Sequence, residues 1–176
     1  MGGERGKVRL MFQDEAGFGR ISKPASCWVT GSMRPVIASQ HVRQFRYAFG
    51  VVDPRDGEKF FIIAPKCNTD WTNAFLAKLS AAYPDDYIIL ICDNAAWHTT
   101  KNIELPANLE IMTIPPYTPQ MNPIEQIWKE LRKGFANKFF NTLADVMDRL
   151  ALETQKLTAE TIISITYRDW VKRFYY

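Results

Sequence analysis

Apolar and polar positions alternate in KVRLMFQDE, residues 7–15. Val8, Leu10, Phe12 and Asp14 then share one face of an extended strand, which the pattern ends at Asp14. Residues 20–44 lose the alternation, and Pro24, Gly31 and Pro35 break any regular element there. RYAFGVVDPRDGEKFFIIAP, residues 46–65, reads as a hairpin: two apolar runs around the turn DPRDGE. NTDWTNAFLAKLSAAYP, residues 68–84, reads as a helix. Thr69 or Asp70 can cap it, Trp71, Phe75 and Leu79 form its stripe, and Pro84 follows its end. YIILICDN, residues 87–94, is an almost unbroken apolar run, as expected of a central strand buried on both faces. LEIMTI, residues 109–114, is a weaker strand. Helices are expected over about 123–138, 142–156 and 158–174. This order predicts an α/β fold: a mixed sheet flanked by helices, with a helical C-terminal part.

Composition narrows the classes. The chain has 176 residues, 47% of them hydrophobic and 13% aromatic, enough for one packed domain. No apolar run approaches a membrane span, and MGGERGKVRL lacks the apolar core of a signal peptide. The expectation is a cytoplasmic protein with no membrane partner. Cys27, Cys67 and Cys92 are scattered, and His41 and His98 are the only histidines. That argues against a zinc site or a disulfide framework and for free thiols. No GxSxG elbow is present, so a metal-free α/β hydrolase is disfavoured.

Net charge is only +3, but its distribution is uneven. Residues 1–60 carry 10 Lys+Arg against 6 Asp+Glu, residues 61–125 carry 3 against 7, and residues 126–176 carry 9 against 6. Basic flanks suit a polyanion and an acidic middle suits cations; an ordinary mixed surface reads the same way.

Three carboxylates stand at expected element ends. Asp14 ends the first strand and Asp93 the most buried one, where sites form in open α/β sheets. Turn chemistry alone also explains Asp93-Asn94. Glu125 follows Asn122-Pro123 in IPPYTPQMNPIEQIWKELRK, residues 114–133. Asn122 suits an N-cap, Pro123 the first helical position, and Glu125 the third residue of a near capping box. On the wheel, Ile124, Ile127, Trp128, Leu131 and Phe135 make the core stripe, and Glu125 lies about 100° from Ile124, at the rim. Both roles, cap and site, are open to it. Three carboxylates on separate elements are a candidate for two magnesium ions straddling a phosphodiester.

FQDEAGF at 12–18, CDNAAWHTT at 92–100 and PPYTPQMNPIEQIWKELRK at 115–133 resemble the catalytic domain of mariner-like transposases, most of all the bacterial insertion-sequence branch. The resemblance implies a ribonuclease-H-like fold and a DDE triad of Asp14, Asp93 and Glu125 holding two Mg2+ or Mn2+ ions. It implies water attack on a phosphodiester at the element end, then attack of the freed 3′-hydroxyl on target DNA. It also implies transposon ends and target DNA as partners, a homodimer, a preference for TA targets and a place at the prokaryotic nucleoid. The 31 residues between Asp93 and Glu125 are somewhat fewer than in the eukaryotic relatives, which suggests a shorter loop.

Neighbouring residues have weaker claims. Glu15 could be an alternative ligand, although on a strand it points to the face opposite Asp14. Asn94 could orient a phosphate or a metal-bound water. His98 could touch substrate or orient Asp93, or be structural. Asn122 shapes the start of the helix that carries Glu125. Trp97 and Trp128 read as packing. Arg20, Arg34, Arg43 and Arg46 fall where relatives carry an extended loop that contacts DNA or the partner subunit. Lys129, Arg132, Lys133 and Lys138 form a second basic stripe, or a solvated face. Relatives carry an upstream helix-turn-helix region. Nothing here resembles it, so residues 1–176 are expected to be a single catalytic domain, and three readings stay open: a catalytic fragment, the second product of a split gene with a separate DNA-reading polypeptide as partner, or a decayed copy. A non-catalytic DNA-binding scaffold of the same fold, and a nuclease cutting RNA in hybrids, are the alternatives.

Overall fold

The structure, a computed structural model, describes residues 6–26, 28–32, 34–36, 38–93, 102–115, 118 and 121–173. Five strands form one sheet: β1 (Val8–Ile21), β2 (His41–Val52), β3 (Lys59–Ala64), β4 (Tyr87–Cys92) and β5 (Leu109–Thr113). Their spatial order is β3-β2-β1-β4-β5. The expected hairpin is β2–β3, antiparallel, and its turn folds back through an Asp53 carbonyl that accepts from Gly57 N–H. β1 also runs antiparallel to β2, whereas β1, β4 and β5 run parallel, so the sheet is mixed as expected.

The first helix, α1 (Thr69–Ala82), covers one face of the sheet. Phe75, Leu76 and Leu79 meet Met11, Phe49, Val51, Ile88 and Leu90 there. Its cap is Asn68 rather than Thr69 or Asp70: the Asn68 side chain accepts from Trp71 N–H at 3.1 Å. The opposite face carries α2 (Ile124–Lys133), α3 (Leu143–Lys156) and α4 (Ala159–Thr166). Ile124, Ile127, Trp128 and Leu131 pack there on Ala16, Phe18, Ala48 and Val52. The even-numbered residues of β1 thus face α2, and the odd-numbered ones face α1.

Sequence boundaries shift in three places. α2 stops at Lys133, and Phe135 packs on the core from beyond its end. The helix expected over 158–174 divides into α4 and α5 (Asp169–Lys172). Its first half, TIISIT, is dominated by β-branched residues, and Thr166 Oγ1 donates to the Ile162 carbonyl just before the break. The irregular stretch is narrower than residues 20–44, because β1 runs to Ile21 and β2 begins at His41. No helix among the described residues is long and apolar enough to cross a membrane.

Candidate active site

Asp14 does not end its strand. β1 continues seven residues past it, to Ile21. What ends near Asp14 is the pairing with β4, whose last register pair is Phe12 with Ile91. Two further steps along each chain reach Asp14 and Asp93. The aspartates therefore leave a parallel pair at the same level, where neighbouring strands lie about 4.8 Å apart. From Gln13 onward β1 keeps β2 on one side and loses β4 on the other, which opens the sheet at the carboxyl end of β4.

A cleft of about 700 Å³ occupies that opening, lined by Asp14, Glu15, Gly17, Tyr47, Pro65, Lys66, Cys67 and Asp93. Glu15 faces the α1 side, as strand alternation requires, and still reaches this cleft. Gln13 Nε2 donates to its Oε1 at 2.9 Å. Asp93 is exposed and Asp14 half-buried.

Glu125 enters from the first turn of α2 and is half-buried. Asn122 does not act as its side-chain cap. α2 begins at Ile124, preceded by Pro123 in helical geometry with no side-chain cap bond. The link to Glu125 is a backbone one, Glu125 N–H to the Asn122 carbonyl at 3.2 Å. The Asn122 side chain turns to the sheet instead and donates from Nδ2 to the Gln13 carbonyl at 2.9 Å. A strand carbonyl that had lost β4 as a neighbour competed for the amide and won. Asn122 Oδ1 and Gln13 Oε1 are buried beside this bond with no hydrogen-bond partner among the described residues.

The electrostatics are those of an anionic site. The Asp14 carboxyl is raised from 3.8 to about 7. Burial is the main cause; hydrogen bonds from the Trp128 indole and the Glu15 amide oppose it, and the Glu15 and Glu125 carboxylates add to it. Burial, then Asp93, Glu15 and Asp14, pushes the Cys92 thiol up to about 12. Carboxylates from β1, α2 and the end of β4 thus act on one region. Among the described residues, however, no three His, Cys, Asp or Glu side chains come close enough to hold one metal ion. The donors fit a hard divalent cation in kind: they are all oxygen, and Asp14 is half-buried among like charges.

The other expected residues fall into three groups. Asn94, Trp97 and His98 lie outside the described residues. Arg34 and Arg43 are exposed, and Arg46 is half-buried on β2. Arg20 is engaged internally, donating to the Phe140 carbonyl at 2.9 Å and to Gln44 at 2.8 Å. On α2, Lys129 is exposed, Arg132 lies over the Phe18 ring at 5.7 Å, and Lys133 pairs with Glu130. Trp128 is a packing residue, as expected, but sequence reasoning missed its second contact. Its Nε1 donates to Asp14 Oδ2 at 2.8 Å. The signal was available, because a buried indole N–H needs an acceptor and Trp128 follows Glu125 by one helical turn. Tyr47, Lys66 and Cys67 had no such signal; only the fold brings them to the cleft.

A family model described as "DDE superfamily endonuclease" matches residues 9–147. The chain belongs to the DDE superfamily. A Sinorhizobium fredii (strain NBRC 101917 / NGR234) protein named "Uncharacterized protein y4pE/y4sA" is 32% identical over 131 residues, covering 72% of this chain and 97% of that protein. Among solved structures, the Mos1 strand transfer complex matches with a TM-score of 0.71 at 16% identity, over 90% of this chain and 50% of that one. The Mos1 mariner paired-end complex with Mn matches with a TM-score of 0.72 at 15% identity, over 90% and 52%. This DDE chain therefore spans about half the length of the Mos1 chains it matches. At these identities the likeness concerns the fold, which is ribonuclease-H-like as the sequence motifs imply. The DDE superfamily chain is an endonuclease-type domain similar to transposase catalytic cores.

Proposed function

We propose that this DDE domain cleaves DNA strands and joins them to target DNA, with Asp14, Asp93 and Glu125 as ligands for two Mg2+ or Mn2+ ions. The observation that carries this reading is the β1–β4 register, which aligns Asp14 with Asp93 where the sheet opens. Glu125 belongs to the same neighbourhood, since its carboxylate acts on Asp14. Bound there, the metal ions would activate the attacking water or 3′-hydroxyl and stabilise the leaving oxygen. The chain's own part is to gather the carboxylates at the mouth of the cleft. Like charges resist that convergence, and a cation removes the resistance. Element ends and target DNA are the proposed substrates. A second copy of the chain and a separate DNA-reading polypeptide are the proposed partners.

The incomplete convergence of the three carboxylates favours a second reading, a DNA-binding scaffold of the same fold without catalysis. One experiment separates the two: incubation of supercoiled plasmid with Mg2+ or Mn2+, unaltered protein beside Asp93→Asn. Nicking that EDTA and Asp93→Asn both abolish supports the catalytic reading. A folded protein that binds DNA and never nicks it supports the scaffold.

A further inference from the structure

Gly50 on β2 lies in direct register with Asp14 on β1. A Cβ at position 50 would come within 2.6 Å of the Trp128 ring and 2.5 Å of Phe61. The missing side chain is therefore the slot in which the indole sits. Trp128 is 1% exposed there, with Phe61 against it at 5.9 Å and Phe18 at 6.3 Å between ring centroids, both edge-on. Held on two sides, the ring has little freedom to turn, and its N–H is directed at Asp14 Oδ2.

We propose that Gly50 and Trp128 together are a positioning device for Asp14: the glycine opens the slot, the indole fills it, and the indole N–H fixes the carboxylate in its cation-receiving orientation. This rests on the reading of Asp14 as a metal ligand. The Glu15 amide also donates to the carboxylate. Rotation of the Asp14 carboxylate would break both bonds, while the remaining lone pairs stay available to a cation. Trp128 is thus a positioning residue, acting through Asp14, in the way that partners behind a ligand orient it in metal sites. Gly50 is part of the device because a Cβ there collides with the Trp128 and Phe61 rings, which must then shift.

The test is Mn2+ binding by titration calorimetry on the whole chain, with thermal unfolding alongside. Trp128→Phe keeps an aromatic ring and deletes the N–H. Gly50→Ala keeps the N–H and displaces it. Phe75→Leu thins the core on the opposite face of the sheet and leaves the indole and its bond untouched. Trp128→Phe and Gly50→Ala should each weaken Mn2+ binding about tenfold or more, and Phe75→Leu should bind Mn2+ as the unaltered protein does even where its unfolding temperature falls equally. Unchanged Mn2+ affinity in Trp128→Phe would overturn the proposal, as would an equal loss in Phe75→Leu. If Trp128→Phe does not fold, Gly50→Ala decides the question in the same way. Asp14→Asn separates the two levels. Should it leave Mn2+ binding intact, the ligand reading and the device fall together. Should it abolish binding while Trp128→Phe does not, only the device falls.

Discussion

The Asn122 side chain donates a 2.9 Å hydrogen bond to the backbone carbonyl of Gln13, 109 residues away in sequence. Gln13 immediately precedes Asp14, and Asn122 lies one turn before Glu125. This bond is therefore a strap between two of the three carboxylates proposed as ligands, and both of its residues are at most 4% exposed. Asn122→Ala should destabilise the domain by about 1–3 kcal/mol, the usual result of leaving a buried partner unsatisfied. Asn122→Asp, which sets an acceptor against a carbonyl, should cost at least as much. Urea unfolding measures both, and plasmid nicking by the still-folded variant should fall further than its stability.

Asp14 gives the domain a pH signature. Its folded-state carboxyl titrates at about 7 against 3.8 for the ordinary group, chiefly through burial. Between those values the folded state binds a proton that the unfolded state has lost, so stability decreases as pH rises through that window. Metal-free protein should be more stable near pH 5 than near pH 8 on account of this group. Asp14→Asn should flatten that slope, and Mn2+ should restore stability at the alkaline end. Denaturation midpoints across pH 5–8, with EDTA and then with Mn2+, check the sign.

The elements were legible because their signals are local. The β2–β3 hairpin, α1 and the buried β4 each carry their own periodicity, and the motifs around Asp14, Asp93 and Glu125 gave the family. What the sequence hid was settled by distant neighbours. Asp14 looked like a strand end because alternation weakens there, yet β2 continues to pair with β1 beyond it while β4 does not. Asn122 looked like a cap because Asn-Pro so often precedes a helix, and the Gln13 carbonyl took its amide instead. Trp128 was read as core from the helix wheel, correctly, but a wheel cannot say what an indole N–H meets on another element. Lys66 and Cys67 gave no cue, being placed at the cleft only by the end of β3.

Among the described residues, Lys66 is the one basic side chain lining the cleft beside Asp14, Glu15 and Asp93. It is exposed, and a phosphate approaching the carboxylates would meet it. Lys66→Ala should weaken duplex DNA binding for every sequence alike and lower the salt slope by about 1. Lys133→Ala should change less, because that ammonium is already paired with Glu130 at 2.5 Å. Fluorescence anisotropy over a salt series distinguishes them. Equal effects would move the DNA path from the cleft to the outer face of α2.

Gln40 closes the base of the irregular stretch between β1 and β2. Ser22 N–H donates to its carbonyl at 2.8 Å, and its own N–H donates to Ser22 Oγ at 3.0 Å. Its side chain, 6% exposed with the rest of the residue, bonds both ways to Phe140: Nε2 to the carbonyl at 2.8 Å, and the Phe140 N–H to Oε1 at 3.2 Å. Arg20 adds a second donor to the same carbonyl. The two ends of the stretch are thus fastened to the segment that leads into α3. Gln40→Ala removes both side-chain bonds and strands a buried N–H, at a cost of about 1–3 kcal/mol. It should also speed chymotryptic cleavage after Trp28, which is exposed between the two ends, since the ends would no longer be held. Gln40→Glu keeps the acceptor and loses the donor, and the carbonyl retains Arg20, so its cleavage should fall between the two. Limited proteolysis followed by mass spectrometry reads the order. If Gln40→Ala is cut no faster than the unaltered protein, the closure is carried by the Ser22, Arg20 and Asn137 bonds instead.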